Sequence, residues 1–226
     1  MVTALESKAQ LSLLTDDAAD SVSWTLRRTS GSFESRRLQM IEVGSELIGF
    51  YSEASSVLAS DFYDESRAAV RAESRFTAEP VILDRTVKIR RGLAWASQPL
   101  STLDDAAAEA RFAEIVSAEL MRPYRDTITT NRKRDPAAAG WKRILSPDSK
   151  CGFCRMLAAR GAVYREETAY FAAHNNCRCT CAPVFGKDDV GPEADVIQYM
   201  ASKRHHKLSQ KERQRLKDAI EFYAVD

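Results

Sequence analysis

This chain predicts an α+β protein, mainly α: an N-terminal helical bundle, then a small zinc-stapled α/β module, then a basic C-terminal helix. Three observations predict it. Apolar residues recur every three or four positions up to about residue 132. All five cysteines fall between Cys151 and Cys181, in short segments with the texture of strands and turns. Lys and Arg then crowd the stretch from Lys203 to Lys217. The expected domains are 1–132 (helical), 133–190 (the Cys/His module) and 191–226 (the basic tail).

In the first helix, Leu11, Leu14, Ala18, Val22 and Leu26 define one apolar face. From Ser32 to Ala72 a longer helix is predicted. There Met40, Val43, Leu47, Phe50, Ala54 and Val57 step by 3, 4, 3, 4, 3, a heptad spacing suited to antiparallel helix packing. Pro80 breaks the pattern, and a shorter helix is expected from Asp84 to Ala96. Ser101-x2-Asp104 resembles a capping box with Asp in place of Glu or Gln. It is expected to open a helix carrying Phe112, Val116 and Leu120, which Pro123 stops or kinks. All these stripes read as core packing, with Trp24 and Trp95 as core or interface. No catalytic pattern occurs in this half.

Asn131 to Gly140, basic and containing Pro136 and several alanines, reads as a linker. Past it, short strands are expected at Trp141 to Leu145, Ala162 to Tyr164 and Cys177 to Phe185. A short helix is expected at Cys151 to Ala159, with Gly161 as the turn residue and Trp141 and Tyr164 as core. A brief apolar stretch, Val196 to Met200, precedes a helix starting near Ser209 with the stripe Leu216, Ile220 and Tyr223.

Bulk properties narrow the function. A chain of 226 residues can build one good core or two modest ones. A net charge of +1 gives no strong overall field for nucleic acid or membrane, so any nucleic-acid contact must come from a local patch. No apolar run approaches the roughly 18 residues of a membrane span. The N-terminus lacks a basic-then-apolar signal. Folding in a reducing cytoplasm is therefore expected, where clustered cysteines serve as metal ligands or redox groups more often than as disulfides.

The cysteines read Cys151-x2-Cys154 and His174-x2-Cys177-x-Cys179-x-Cys181. Two thiolates from one turn, with Gly152 letting the backbone bend, and two ligands from a distant segment would close a tetrahedron around zinc. The expected metal ligands are Cys151 and Cys154, completed by two of His174, Cys177 and Cys179, with Cys181 as bystander. The bland reading is a set of reduced, partly buried thiols. A thioredoxin-like pair is disfavoured because no βαβ pattern surrounds Cys151. A catalytic zinc is disfavoured too: no His precedes Cys151, and His-Glu-x2-His is absent. The expected zinc is structural.

Gly140-Trp141-Lys-Arg, Cys151-Gly-Phe-Cys154, Leu157-Ala-Ala-Arg-Gly161, Val163-Tyr164 and Ala173-His174-Asn-Asn-Cys177-Arg-Cys179 are similar to the Mu F-like minor head proteins of tailed bacteriophages. The chain most resembles the forms common in phages of actinobacteria, described as minor capsid, head morphogenesis or capsid maturation proteins. The likeness is carried by residues 126–186, and His-x2-Cys-Arg-Cys is its most specific piece. What the resemblance implies is a structural component inside the phage head. It would be made in the host cytoplasm, associate with the portal, scaffold or major capsid protein, and be packaged with the DNA. A capsid maturation protease is the alternative that the family's labels raise. No Gly-x-Ser-x-Gly nucleophile turn is present, and no catalytic residue is assigned.

From Lys203 to Lys217 the chain carries Lys203, Arg204, Lys207, Lys211, Arg213, Arg215 and Lys217 against the single acid Glu212. Such a run could hold packaged DNA without sequence preference, which makes a non-specific DNA-binding zinc protein the third reading. A solvated helix face is the bland alternative. His205 and His206 extend the patch.

Overall fold

The computed structural model describes residues 2–146, 151–159, 171, 177–185 and 208–224. Its helices are α1 (Ala4–Arg28), α2 (Phe33–Ala69), α3 (Thr86–Ala96), α4 (Asp105–Arg134), α5 (Gly152–Ala158) and α6 (Gln210–Tyr223). A 3-10 turn covers Gln98–Thr102, and the strands are β1 (Gly140–Ile144) and β2 (Thr180–Val184). The architecture is α+β and mainly α, as expected. Two compact units divide the chain: a helical unit, Glu6–Ser60 with Glu79–Thr127, and a mixed unit, Met1–Leu5 with Asp61–Ala78 and Ile128–Asp226.

In the helical unit the α1 stripe holds: Leu11, Ala18, Val22 and Leu26 are buried. Ala18, Val22 and Leu26 pack with Met40, Ile48, Leu93, Phe112, Val116 and Leu120 in one core. Gly31, at φ +99°, makes the turn into α2 in a conformation that L side chains rarely adopt.

The predicted seam of α2 is out of phase. Met40 is buried, but Val43, Phe50 and Val57 are 37%, 66% and 46% exposed. The inward face is instead Met40, Ile48, Tyr51, Ser52, Ser55 and Ala59. A straight helix drifts about 20° per heptad from a 3.5-residue repeat, so a strict heptad rotates off the core. Small residues take its place. A Cβ on Gly44 would sit 3.2 Å from the Leu93 methyls, and Ser55 Oγ donates to the Leu120 carbonyl at 2.7 Å.

Two further expectations change at α4. Asp104, not Ser101, caps the helix: its Oδ1 accepts from Ala107 N at 2.9 Å, while Ser101 lies in the 3-10 turn. Pro123 neither stops the helix nor divides it. An interior proline costs about 3 kcal/mol, and here Leu120, Met121, Tyr124 and Ile128, all fully buried around it, offset that cost. Trp24 and Trp95 are not core. Both rings are solvent-exposed, with the Arg28 and Arg111 guanidinium carbons each 4.6 Å from a ring centroid.

The mixed unit is built on an antiparallel pair running from Gly140↔Val184 to Ile144↔Thr180. Pro183 sits opposite Trp141, and among the described residues β2 pairs with β1 alone, a position where a proline is tolerated. The segment read as a linker is anchored by charge. Asp135 is buried and accepts from Arg67 Nε at 2.9 Å and from Ala137 N at 2.9 Å. The Arg67 guanidinium also donates to Ser74 Oγ at 2.7 Å. Tyr63 OH reaches the same Asp135 carboxylate at 3.4 Å.

The C-terminal helix starts where expected. Ser209 and Glu212 form a reciprocal capping box, and Leu216, Ile220 and Tyr223 are half-buried. At Gly152 the backbones of α5 and α6 meet, since a Cβ there would overlap the Ile220 carbonyl oxygen. Gly152 therefore serves close helix approach rather than a turn. The strand expected at Ala162 to Tyr164, Tyr164 itself and the apolar stretch Val196 to Met200 lie outside the described residues.

Candidate metal centre

Three sulfurs converge in the mixed unit. Cys154 in the first turn of α5, and Cys177 and Cys179 just before β2, are buried with their Sγ atoms within 4.8 Å of one another. Cys154 and Cys177 Sγ are 3.6 Å apart. That is far beyond the roughly 2.05 Å of a disulfide. It is close to the edge of a tetrahedron with Zn–S bonds of about 2.3 Å, roughly 3.8 Å. All five cysteines are free thiols.

Local structure explains the convergence. Cys151 is the N-cap of α5 in extended backbone, so Cys154 follows it one turn into the helix. Phe153, Leu145, Phe171 and Cys151 pack around the three buried thiols and shield them from water. Hydrogen bonding to the Cys177 and Cys179 sulfurs, and then burial, hold the Cys154 thiol far above the ordinary thiol range. A divalent cation reverses this, because it favours the thiolates that mutual repulsion opposes. The donor set, its burial and its spacing fit a soft tetrahedral ion, which would staple α5 to the approach of β2.

The expected ligands divide as follows. Cys154, Cys177 and Cys179 are brought together. Cys151 borders the cluster and is partly exposed. His174 lies outside the described residues. Cys181 is buried within β2, opposite Arg143 of β1.

Arg143 is a residue that sequence reasoning gave no role. It is 4% exposed, and its Nη1 approaches Cys154 Sγ at 3.7 Å and Cys177 Sγ at 3.8 Å. It closes the Gly140-Trp141-Lys-Arg piece of the family likeness, and it lies two residues after the buried Trp141 on the same face of β1.

Of the predicted nucleic-acid contacts, Lys211, Arg213, Arg215 and Lys217 lie on α6 with solvent-exposed side chains. Arg213 Nε donates to the Leu208 carbonyl at 3.0 Å, and Lys217 pairs with Glu221 at 3.7 Å. Lys203, Arg204, Lys207, His205 and His206 lie outside the described residues. Among the described residues no helix is long and apolar enough to cross a membrane.

A helical protein with a buried three-thiol cluster is the class that the fold and site define. The model of the VG15 protein family matches residues 2–203, and the chain belongs to that family, a family of viral (phage) proteins. No curated protein and no solved structure matches the chain.

Proposed function

We propose that this chain is a structural minor head protein of a tailed phage, of the Mu F-like kind, packaged inside the head after docking to the portal or scaffold. The observation that carries the proposal is the meeting of Cys154 with Cys177 and Cys179. They come from the Cys-x2-Cys and His-x2-Cys-x-Cys segments on which the resemblance rests, in a chain of a phage family. Zinc is the ion we assign, because buried thiolates at this spacing suit it. The stapled module then acts as a rigid docking unit. The solvent-facing Val43, Phe50 and Val57 of α2 support a contact role for the helical unit.

The test uses tagged full-length protein in infected cells. Retention of portal protein in the purified complex, with particles lacking this gene product failing to mature, supports the reading. Normal infectious particles without it would overturn the structural role. Loss of capsid-protein cleavage on deletion, with no portal association, would favour the maturation protease instead. The exposed Lys211 and Arg215 support a second reading, weak DNA retention by the C-terminal helix. It predicts salt-dependent DNA binding that disappears when residues 203–217 are deleted.

A further inference from the structure

A groove of about 520 Å³ runs along the outer side of α2 in the helical unit, walled opposite by the extended segment that leads into α3. Ile82 and Leu83 line that wall and are 49% and 56% exposed. On the α2 side Gly49 leaves a notch. A β-carbon there would meet nothing within 4 Å, so a residue unfavourable in a helix interior holds open space. Beside it Phe50 stands in solvent. Val43, Phe50 and Val57 carry the apolar surface onward at seven-residue steps, a stripe of roughly 21 Å along the helix axis. That length suits a helix of about four turns rather than a small molecule.

Charge selects the kind of helix. The two arginines of the groove are engaged: Arg90 with Glu42 and Arg85 with Glu119, each through two N–H bonds. Glu46, which belongs to both groove and stripe, and Glu53 are exposed, with no cation partner among the described residues. They stand three residues before Gly49 and four after it, one helical turn to either side of the notch. Two copies of this face would set these carboxylates against each other, which opposes self-association. A basic partner satisfies them.

We propose that this groove seats an amphipathic helix of a partner head protein. That helix puts a large apolar side chain into the Gly49 notch and Lys or Arg one turn to either side. The inference rests on the reading of the helical unit as a contact element, and it names the chemistry of what is contacted. Burial of the apolar side chain supplies the affinity, and the two cations fix register and reject acidic competitors.

Two synthetic helical peptides test this against full-length protein by fluorescence anisotropy. Both carry a leucine stripe, with lysines one turn to either side of the central leucine in one and glutamates in the other. The lysine peptide should bind at least about 10-fold more tightly. Gly49→Leu fills the notch and should abolish binding. Its thermal stability should be unchanged or higher, because leucine is the better helix former, and this separates blocked docking from misfolding. Glu46→Lys combined with Glu53→Lys should reverse the preference between the peptides.

Equal binding of both peptides, binding of neither, or a Gly49→Leu protein that binds like wild type would overturn the docking site. So would self-association of wild-type protein that Gly49→Leu abolishes, since the occupant would then be a second copy. In infected cells, Gly49→Leu protein should lose its retained portal or scaffold protein. Unchanged retention would overturn the groove's role and leave the structural reading standing. Wild-type protein that retains neither head protein would remove the docking reading and this partner together.

Discussion

The helical unit and the mixed unit are held together by different means. In the helical unit, burial is spread over a dozen or so apolar side chains contributed by α1, α2, α3 and α4. In the mixed unit, α5 has seven residues and each strand has five. Elements so short have little stability of their own. Apolar side chains such as Tyr63, Ile128, Trp141, Met156, Leu157 and Val184 are buried there too, and to them are added a few polar and thiol contacts: three thiols, the buried Arg143, and the Arg67–Asp135 pair whose carboxylate is wholly inaccessible. The mixed unit thus stakes more on single side chains than the helical unit does.

The widest separation between the units should follow disruption of the proposed zinc site. Cys154→Ser, or chelation of the wild-type protein, should forfeit much of the roughly 10–16 kcal/mol that structural zinc supplies in isolated finger peptides. Hydrogen exchange should then become fast at β1, α5 and β2 while the amides of α3 stay protected. Equal loss of protection in α3 would erase the contrast.

Asp135→Ala comes next. It leaves the Arg67 guanidinium buried without its carboxylate, at an expected cost of about 3–5 kcal/mol in chemical denaturation. A change below about 1 kcal/mol would place the pair in the weak, solvent-screened class.

In the helical unit, Leu93→Ala opens a cavity against Gly44 and should cost about 2–5 kcal/mol. Zinc content and the alkylation pattern of the cysteines should not change. If they do, the two units are not separately stabilised.

The smallest effect is a pH slope. Burial, and then the Asp135 charge, raise the Tyr63 hydroxyl well above its ordinary value. The folded protein thus keeps a proton that the unfolded chain releases at about pH 10, and stability falls as pH rises past that point. Tyr63→Phe should flatten this alkaline decline and leave stability near pH 7 within about 1 kcal/mol of wild type.

What could be read from the sequence follows the same division. The α1 stripe, the Phe112–Val116–Leu120 face and the start of the last helix near Ser209 were legible because each is a local pattern of a single helix. The α2 face was misphased because Gly44, Ser52 and Ser55 form its inner side, and small or polar residues leave no hydrophobic signature. The meeting of Cys154 with Cys177 and Cys179 follows the motif spacing, whereas Cys151, expected beside Cys154 in the site, borders the cluster instead. Arg67–Asp135 and Arg143 were not. Arg67 reaches its partner across 68 residues and Arg143 reaches its sulfurs across 11 and 34, and a lone Arg or Asp looks the same in a linker as in a core.

The contact at Gly152 ties the cluster to the end of the chain. The backbone that leads into Cys154 and the helix that carries Lys211 and Arg215 approach so closely at Gly152 that a β-carbon there would overlap the Ile220 carbonyl oxygen. Any side chain at that position would force α5 and α6 apart, so a single absent methyl sets the distance between the thiol cluster's helix and the last one.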